Sequence, residues 1–158
     1  MTYCSIALHR HHADDLVAQV SGECEKRGLR LTSLRRRVLE MVAQSDTPVK
    51  AYDLLDQLKR EHAGAAPPTV YRALDFLIEQ GFVHRIESLN AYLGCPHPAQ
   101  RHPTQFLICD QCGVTMELED AELDQRLFAQ ARTQRFKPTR QVVEVHGLCA
   151  RCTESKPS

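Results

Sequence analysis

The sequence predicts an α+β chain of two small units. The first is an N-terminal winged helix, the pattern of a DNA-binding domain. The second is a small α/β domain with a three-stranded antiparallel sheet. Three observations lead there. Apolar residues recur at helical spacing in four segments before residue 81, and a short strand hairpin follows them. A stretch rich in proline and histidine, residues 95–103, then interrupts the pattern. Beyond it, two Cys-x-x-Cys pairs, Cys109/Cys112 and Cys149/Cys152, bracket one further helix pattern between short strands.

The four helices are justified in order. Residues 14–27 place Leu16, Val17, Val20 and Cys24 on one face, with Asp14 and Asp15 in the first turn, Lys26 and Arg27 in the last, and Gly28 as terminator. Thr32 is suited to N-cap a second helix whose apolar face is Leu34, Val38, Leu39 and Val42. Asp46-Thr47-Pro48 breaks it. A third helix over residues 51–62 turns Leu54, Leu55 and Leu58 inward, and residues 63–68 read as a loop. Thr69 starts a fourth, residues 70–80, which carries Val70, Ala73, Leu74, Leu77 and Ile78 and stops at Gly81. Residues 82–87 alternate like a strand, Asn90 turns, and residues 91–94 return. In a winged helix the last helix of such a group enters the DNA major groove.

The remainder reads as a strand (104–109), a tight turn, a strand (114–119), a helix (120–132), a strand (141–146) and a Cys turn. The domains are 1–90, a hinge and linker over 91–103, and 104–158. About 60 residues bury little core alone, so the second domain needs a metal or a partner subunit.

Composition bounds the function. The chain has 158 residues with 20 Lys+Arg against 20 Asp+Glu, 42% hydrophobic residues, 7 Gly and 8 Pro, which excludes a disordered, collagen-like or coiled-coil protein. No run approaches a membrane-spanning length, and the N-terminal residues read as no secretory signal, so a cytoplasmic location is expected. Neutral net charge hides a local stripe: Lys26, Arg27, Arg30, Arg35, Arg36 and Arg37 fall within twelve residues that hold no acid. Such a stripe binds phosphates or simply forms a solvated face.

Seven cysteines are high for a reducing compartment, and the spacing separates disulfides from metal. Two Cys-x-x-Cys turns 36 residues apart suit one tetrahedral Cys4 zinc. Redox disulfides and an iron–sulfur cluster are the alternatives, but the strand–helix context of a redox pair is missing. A closed zinc site contributes on the order of 10 kcal/mol to folding. A looser set, His84, Cys95, His102 and Glu117, offers N, S, N and O donors that also suit zinc. On the residues alone, a packed or solvated histidine and a buried apolar cysteine are the more ordinary reading. His97 is a substitute ligand in the linker, and His146 a donor to the zinc thiolates. His9, His11 and His12 read as a solvated tail, Cys24 as core and Cys4 as free. No catalytic motif is present, so an enzyme is not expected.

The chain resembles the ferric uptake regulator superfamily and, within it, the zinc uptake regulator branch. The resemblance rests on Leu31-Thr32, Ala51-Tyr52-Asp53-Leu54-Leu55, Pro67-Pro68-Thr69-Val70-Tyr71-Arg72-Ala73-Leu74-Asp75-Phe76-Leu77, Gly81-Phe82-Val83-His84, Phe106-Leu107-Ile108-Cys109-Asp110-Gln111-Cys112-Gly113 and His146-Gly147-Leu148-Cys149-Ala150-Arg151-Cys152. It runs from about residue 14 to residue 153, in order and at family spacing. Where the family usually continues Leu-Thr with Pro-Gln-Arg, this chain has Ser33-Leu34-Arg35, which keeps the basic position.

The resemblance implies a homodimeric, metal-dependent repressor of palindromic, double-stranded operator DNA, with a C-terminal dimerisation domain and neither membrane nor small-molecule partner. It implies two zincs per chain: a structural one on Cys109, Cys112, Cys149 and Cys152, and a regulatory one on His84, Cys95, His102 and Glu117. Cys95 favours zinc over iron or manganese. The iron and peroxide branches carry a His-rich run before the first Cys pair, where this chain has only His102. The rivals are an iron, manganese or peroxide sensor on the same fold, and a zinc hydrolase, for which four protein ligands leave no open position. DNA contacts fall to Tyr52, Thr69, Tyr71 and Arg72, with Arg35 and Arg36 on phosphates. Asp56 and Lys59 are implied as a contact between neighbouring dimers.

Overall fold

The computed structural model describes residues 9–99, 102 and 104–154; Cys4 lies outside them. Two compact units divide the chain, Met1–Arg101 and His102–Ser158.

The first unit contains helices α1 (His9–Lys26), α2 (Ser33–Ala43), α3 (Ala51–Glu61) and α4 (Pro67–Glu79), then strands β1 (Val83–Ile86) and β2 (Ala91–Gly94). α1 begins five residues before the expected start, so His9, His11 and His12 belong to a helix and not to a tail. α2 begins as expected: Thr32 accepts from the Arg35 N–H at 3.3 Å. α4 also begins early. Pro67 and Pro68, expected in a loop, occupy its first turn. Their missing N–H groups cost nothing there, because first-turn amides have no intrahelical acceptor. α4 ends with the Gly81 N–H on Ile78 O (3.0 Å) and the Phe82 N–H on Leu77 O (2.8 Å). That double closure requires the left-handed backbone of Gly81, φ +77°.

One core unites the four helices. Val20, Leu39, Leu54, Leu58, Leu74, Leu77 and Phe82 are essentially solvent-free, and Cys24 is buried among them as expected. β1 and β2 pair antiparallel, His84 opposite Leu93. Residues 91–94 return as the second strand of the hairpin, as expected. Val49, just before α3, exchanges two 2.8 Å backbone hydrogen bonds with Tyr92 and ties the hairpin to the helices.

The second unit contains β3 (Gln105–Cys109), β4 (Thr115–Leu118), α5 (Ala121–Thr133), β5 (Val143–Gly147) and α6 (Ala150–Glu154). Asp120 caps α5, accepting from the Leu123 N–H at 2.9 Å. The expected three-stranded antiparallel sheet is instead mixed. Its order is β4-β3-β5, with β3 antiparallel to β4 and parallel to β5. The cysteines give the reason. Each Cys pair follows the C-terminal end of a strand, and parallel neighbours bring both ends to one edge. An antiparallel β5 would leave its pair beside Gln105, roughly 13 Å away at about 3.3 Å per residue. The intervening β4, α5 and residues 134–142 supply the crossover that a parallel pairing needs.

This unit buries little. α5 has no buried residue, and Leu118, Leu123, Leu127, Phe136, Val142, Val145 and Leu148 are exposed. One of its clusters is built from Cys109, Val114 and Cys152 with Cys149 against them. Among the described residues, no helix is long and apolar enough to cross a membrane.

Candidate functional site

The four cysteines of the second unit converge. Gly113, at φ +73°, curls the chain after Cys112, and its N–H bonds Cys109 O at 2.9 Å. Across the parallel pairing, Cys109 sits opposite Gly147, two residues before Cys149. The Cys149 N–H donates to Cys109 Sγ at 3.4 Å. Cys112 Sγ lies 3.8 Å from Cys149 Sγ, and all four sulfurs fall within 4.8 Å of one another. A tetrahedral ion at about 2.3 Å from each sulfur separates the sulfurs by about 3.8 Å, so the donor set fits zinc. Cys109 and Cys152 are buried and Cys112 is exposed.

The protein environment splits the thiols. Backbone N–H groups, first that of Cys149 and then that of Cys112, bring the Cys109 thiol down to about 6. The Val114 N–H lowers Cys112. Burial, then the neighbouring sulfurs, push Cys152 up to about 12. Four thiolates at this spacing repel one another, and a bound dication removes that repulsion. His146 Nδ1, expected to face the thiolates, meets Asp110 Oδ1 at 2.9 Å.

The looser donor set appears as two pairs, one per unit. In the first unit, His84 is on β1, and Cys95 follows β2, fully buried, its N–H on Phe82 O at 3.0 Å. His84 opposes Leu93, so His84 and Cys95 lie on one face of the hairpin at diagonal positions. In the second unit, His102 Nε2 and Glu117 Oε1 are 2.6 Å apart, with side chains only 9% and 6% exposed. Glu119 Oε1 lies 3.9 Å from the same nitrogen. His97 is exposed on the segment after Cys95.

The residues expected to meet DNA occupy α2, α3 and α4. Tyr52 is 69% exposed and Tyr71 48%; Arg72 is exposed and Thr69 half-buried. No ion pair joins Arg72 to Asp75, or Asp56 to Lys59, among the described residues. Arg36 is exposed and donates from Nη2 to Ser21 Oγ at 2.9 Å.

The basic stripe is less uniform than its sequence. Arg37 binds both oxygens of Glu61, Nε to Oε2 at 2.8 Å, and pairs with Glu40. It carries its own counter-charges, and it holds the Glu61 carboxyl below the usual range. Arg27 donates from Nη1 and Nη2 to Gln80 O, at 3.1 and 3.0 Å, with its guanidinium 5.0 Å from the Phe82 ring centre. The Glu40 spacing is readable as i,i+3; the Glu61 and Gln80 contacts are long-range and leave no local signal.

The ferric uptake regulator family model matches residues 26–146. The zinc uptake regulation protein of Escherichia coli (strain K12) is 43% identical over 148 residues, covering 93% of this chain and 86% of that protein. A solved zinc uptake regulator complexed with zinc and DNA superposes at TM-score 0.86 with 43% identity, over 90% of this chain and 95% of that one. The crystal structure of holo XcZur gives 0.82 with 50% identity, over 89% of this chain and 99% of that one. The chain belongs to the ferric uptake regulator family.

Proposed function

We propose that this protein is a cytoplasmic, zinc-responsive transcriptional repressor that binds palindromic operator DNA as a homodimer and controls zinc uptake and homeostasis genes. It is a regulator, not an enzyme. The observation that carries the reading is its likeness, across nearly the whole chain, to a regulator solved with both zinc and DNA. The first unit acts as a winged helix: α4 enters the major groove and the β1–β2 hairpin is the wing. The exposed apolar residues of the second unit, with the unburied α5, supply the surface that a second copy covers.

Two zincs per chain fit the donors. Cys109, Cys112, Cys149 and Cys152 form a closed structural site. His84 and Cys95 from one unit, with His102 and Glu117 from the other, form the regulatory site. Bound zinc supplies an electrophilic centre that all four donors satisfy together. Two neutral imidazoles, one thiolate and one carboxylate balance its charge. Because the donors come from two units, satisfying all four selects one arrangement of the DNA-binding domains. DNA selects the same arrangement, so each ligand strengthens the other's binding. A buried thiolate at Cys95 disfavours iron and manganese sensing, and four protein ligands disfavour hydrolysis.

Arg72 reads a guanine through O6 and N7, with Tyr52, Thr69 and Tyr71 beside it and Arg35 and Arg36 on phosphates. Selection of duplexes from a randomised pool tests the reading. The zinc-loaded protein should enrich a palindrome, and Arg72→Ala should lose about 1–3 kcal/mol and relax one position per half-site. No enrichment by the zinc-loaded protein would reject the repressor reading. Equal weakening on every sequence would reassign Arg72 to a phosphate.

Asp56 and Lys59 bridge neighbouring dimers on one operator. Neither forms an ion pair within α3 among the described residues, so the two charges remain available to a second dimer. Asp56→Ala should remove the second dimer's shift in a gel titration and leave the first dimer's affinity intact. Loss of both steps together would exclude bridging.

A further inference from the structure

Arg35 is held differently from the rest of the basic stripe. Its guanidinium carbon lies 3.6 Å from the centre of the Phe76 ring, a close stack between α2 and α4. Its Nη1 donates to Arg30 O at 2.7 Å. The stack fixes the plane of the guanidinium, and the hydrogen bond fixes its rotation within that plane. Nε and Nη2 have no protein acceptor among the described residues, and no carboxylate pairs with this arginine there. By contrast, Arg37 is neutralised by Glu61 and Glu40, and Arg27 spends both terminal nitrogens on Gln80 O. Phe76 itself is half-buried, one helical turn after Arg72 and on the same side of α4.

A planar, weakly hydrated guanidinium with two unspent donors suits a phosphodiester. A side chain already ordered in its binding geometry loses less entropy on binding than a free one. We propose that Phe76 is a positioning residue for DNA binding: it stacks Arg35 of α2 so that its remaining N–H groups meet a backbone phosphate, fixing the register in which Arg72 of α4 meets the bases. The inference rests on the DNA-binding reading above. It adds that an uncharged aromatic residue governs an electrostatic contact.

Salt dependence separates this role from simple packing. Binding to one mixed-sequence B-form duplex is measured across a salt series by fluorescence anisotropy, with zinc content and thermal unfolding followed in parallel. Arg35→Ala should lower the slope of log K against log salt by about 0.9, the loss of one phosphate contact. Phe76→Leu, which removes no charge, should lower it by a similar amount, and Phe76→Tyr should restore it. The double variant Arg35→Ala/Phe76→Leu should lose no more than either single one. Arg35→Lys, which leaves α4 untouched and keeps the charge, should bind as weakly as Phe76→Leu and covers the case in which the leucine variant folds poorly. A wild-type slope in Phe76→Leu, or losses that add in the double variant, would overturn the proposal. A wild-type protein with no salt-dependent DNA binding would overturn the DNA reading itself.

Discussion

Cys109→Ser is expected to cost the protein its structural zinc, its dimer and its solubility together. The four sulfurs lie within 4.8 Å of one another, Cys109 and Cys152 form a buried cluster with Val114, and α5 adds no buried residue. A closed zinc site contributes on the order of 10 kcal/mol, as much as a small domain's whole stability. Cys109 is the pivot because it ends the central strand β3, and the Cys149 N–H bonds to its sulfur. The first unit has its own core around Leu39, Leu54, Leu74 and Phe82 and should survive. In the fraction that stays soluble, calorimetry should show that unit melting alone, while size-exclusion chromatography shows loss of the dimer. Cys24→Ala, altering a buried thiol in the first unit, should keep full zinc content. A Cys109→Ser protein with wild-type zinc and an intact dimer would contradict the structural role.

Cys95→Ser should separate sensing from folding. The substitution is nearly isosteric at a fully buried position and replaces a strong zinc ligand with a weak one. The proposed mixed site would spend part of its binding energy on ordering two units, so it should be the weaker and exchangeable one. Cys95→Ser and His84→Ala should therefore keep about one zinc per chain, the ion of the closed Cys4 site, and a folded dimer. Operator affinity should fall to near the nonspecific level, typically a loss of at least about 4 kcal/mol. Metal analysis and gel shifts on the same preparations read both results.

Much of this was legible in the sequence, for physical reasons. The helices of the first unit declare themselves through apolar spacing, and Thr32 and Asp120 through their capping chemistry. The convergence of the Cys pairs is legible because two Cys-x-x-Cys turns suit the donors of one ion. What was missed lacked a local signal or was read too locally. The segment around His9–His12 has no apolar stripe, so the start of α1 was invisible. Pro67 and Pro68 have the look of loop residues in sequence, although the first helical turn accepts proline. The parallel β5 was readable in principle, since both Cys pairs follow strands and must meet at one edge. The Arg35–Phe76 stack and the Arg37–Glu61 pair join distant residues, and only the fold brings them together.

Operator affinity measured against buffered free zinc tests the central claim most directly. The wild-type dimer, with its Cys4 zinc retained throughout, should bind the selected palindrome weakly at low free zinc and tightly above a threshold. Occupancy of the second zinc should rise over the same range, and Cys95→Ser should stay weak at every zinc level. Tight binding by wild type in strong chelator, or by Cys95→Ser at any zinc level, would contradict the account.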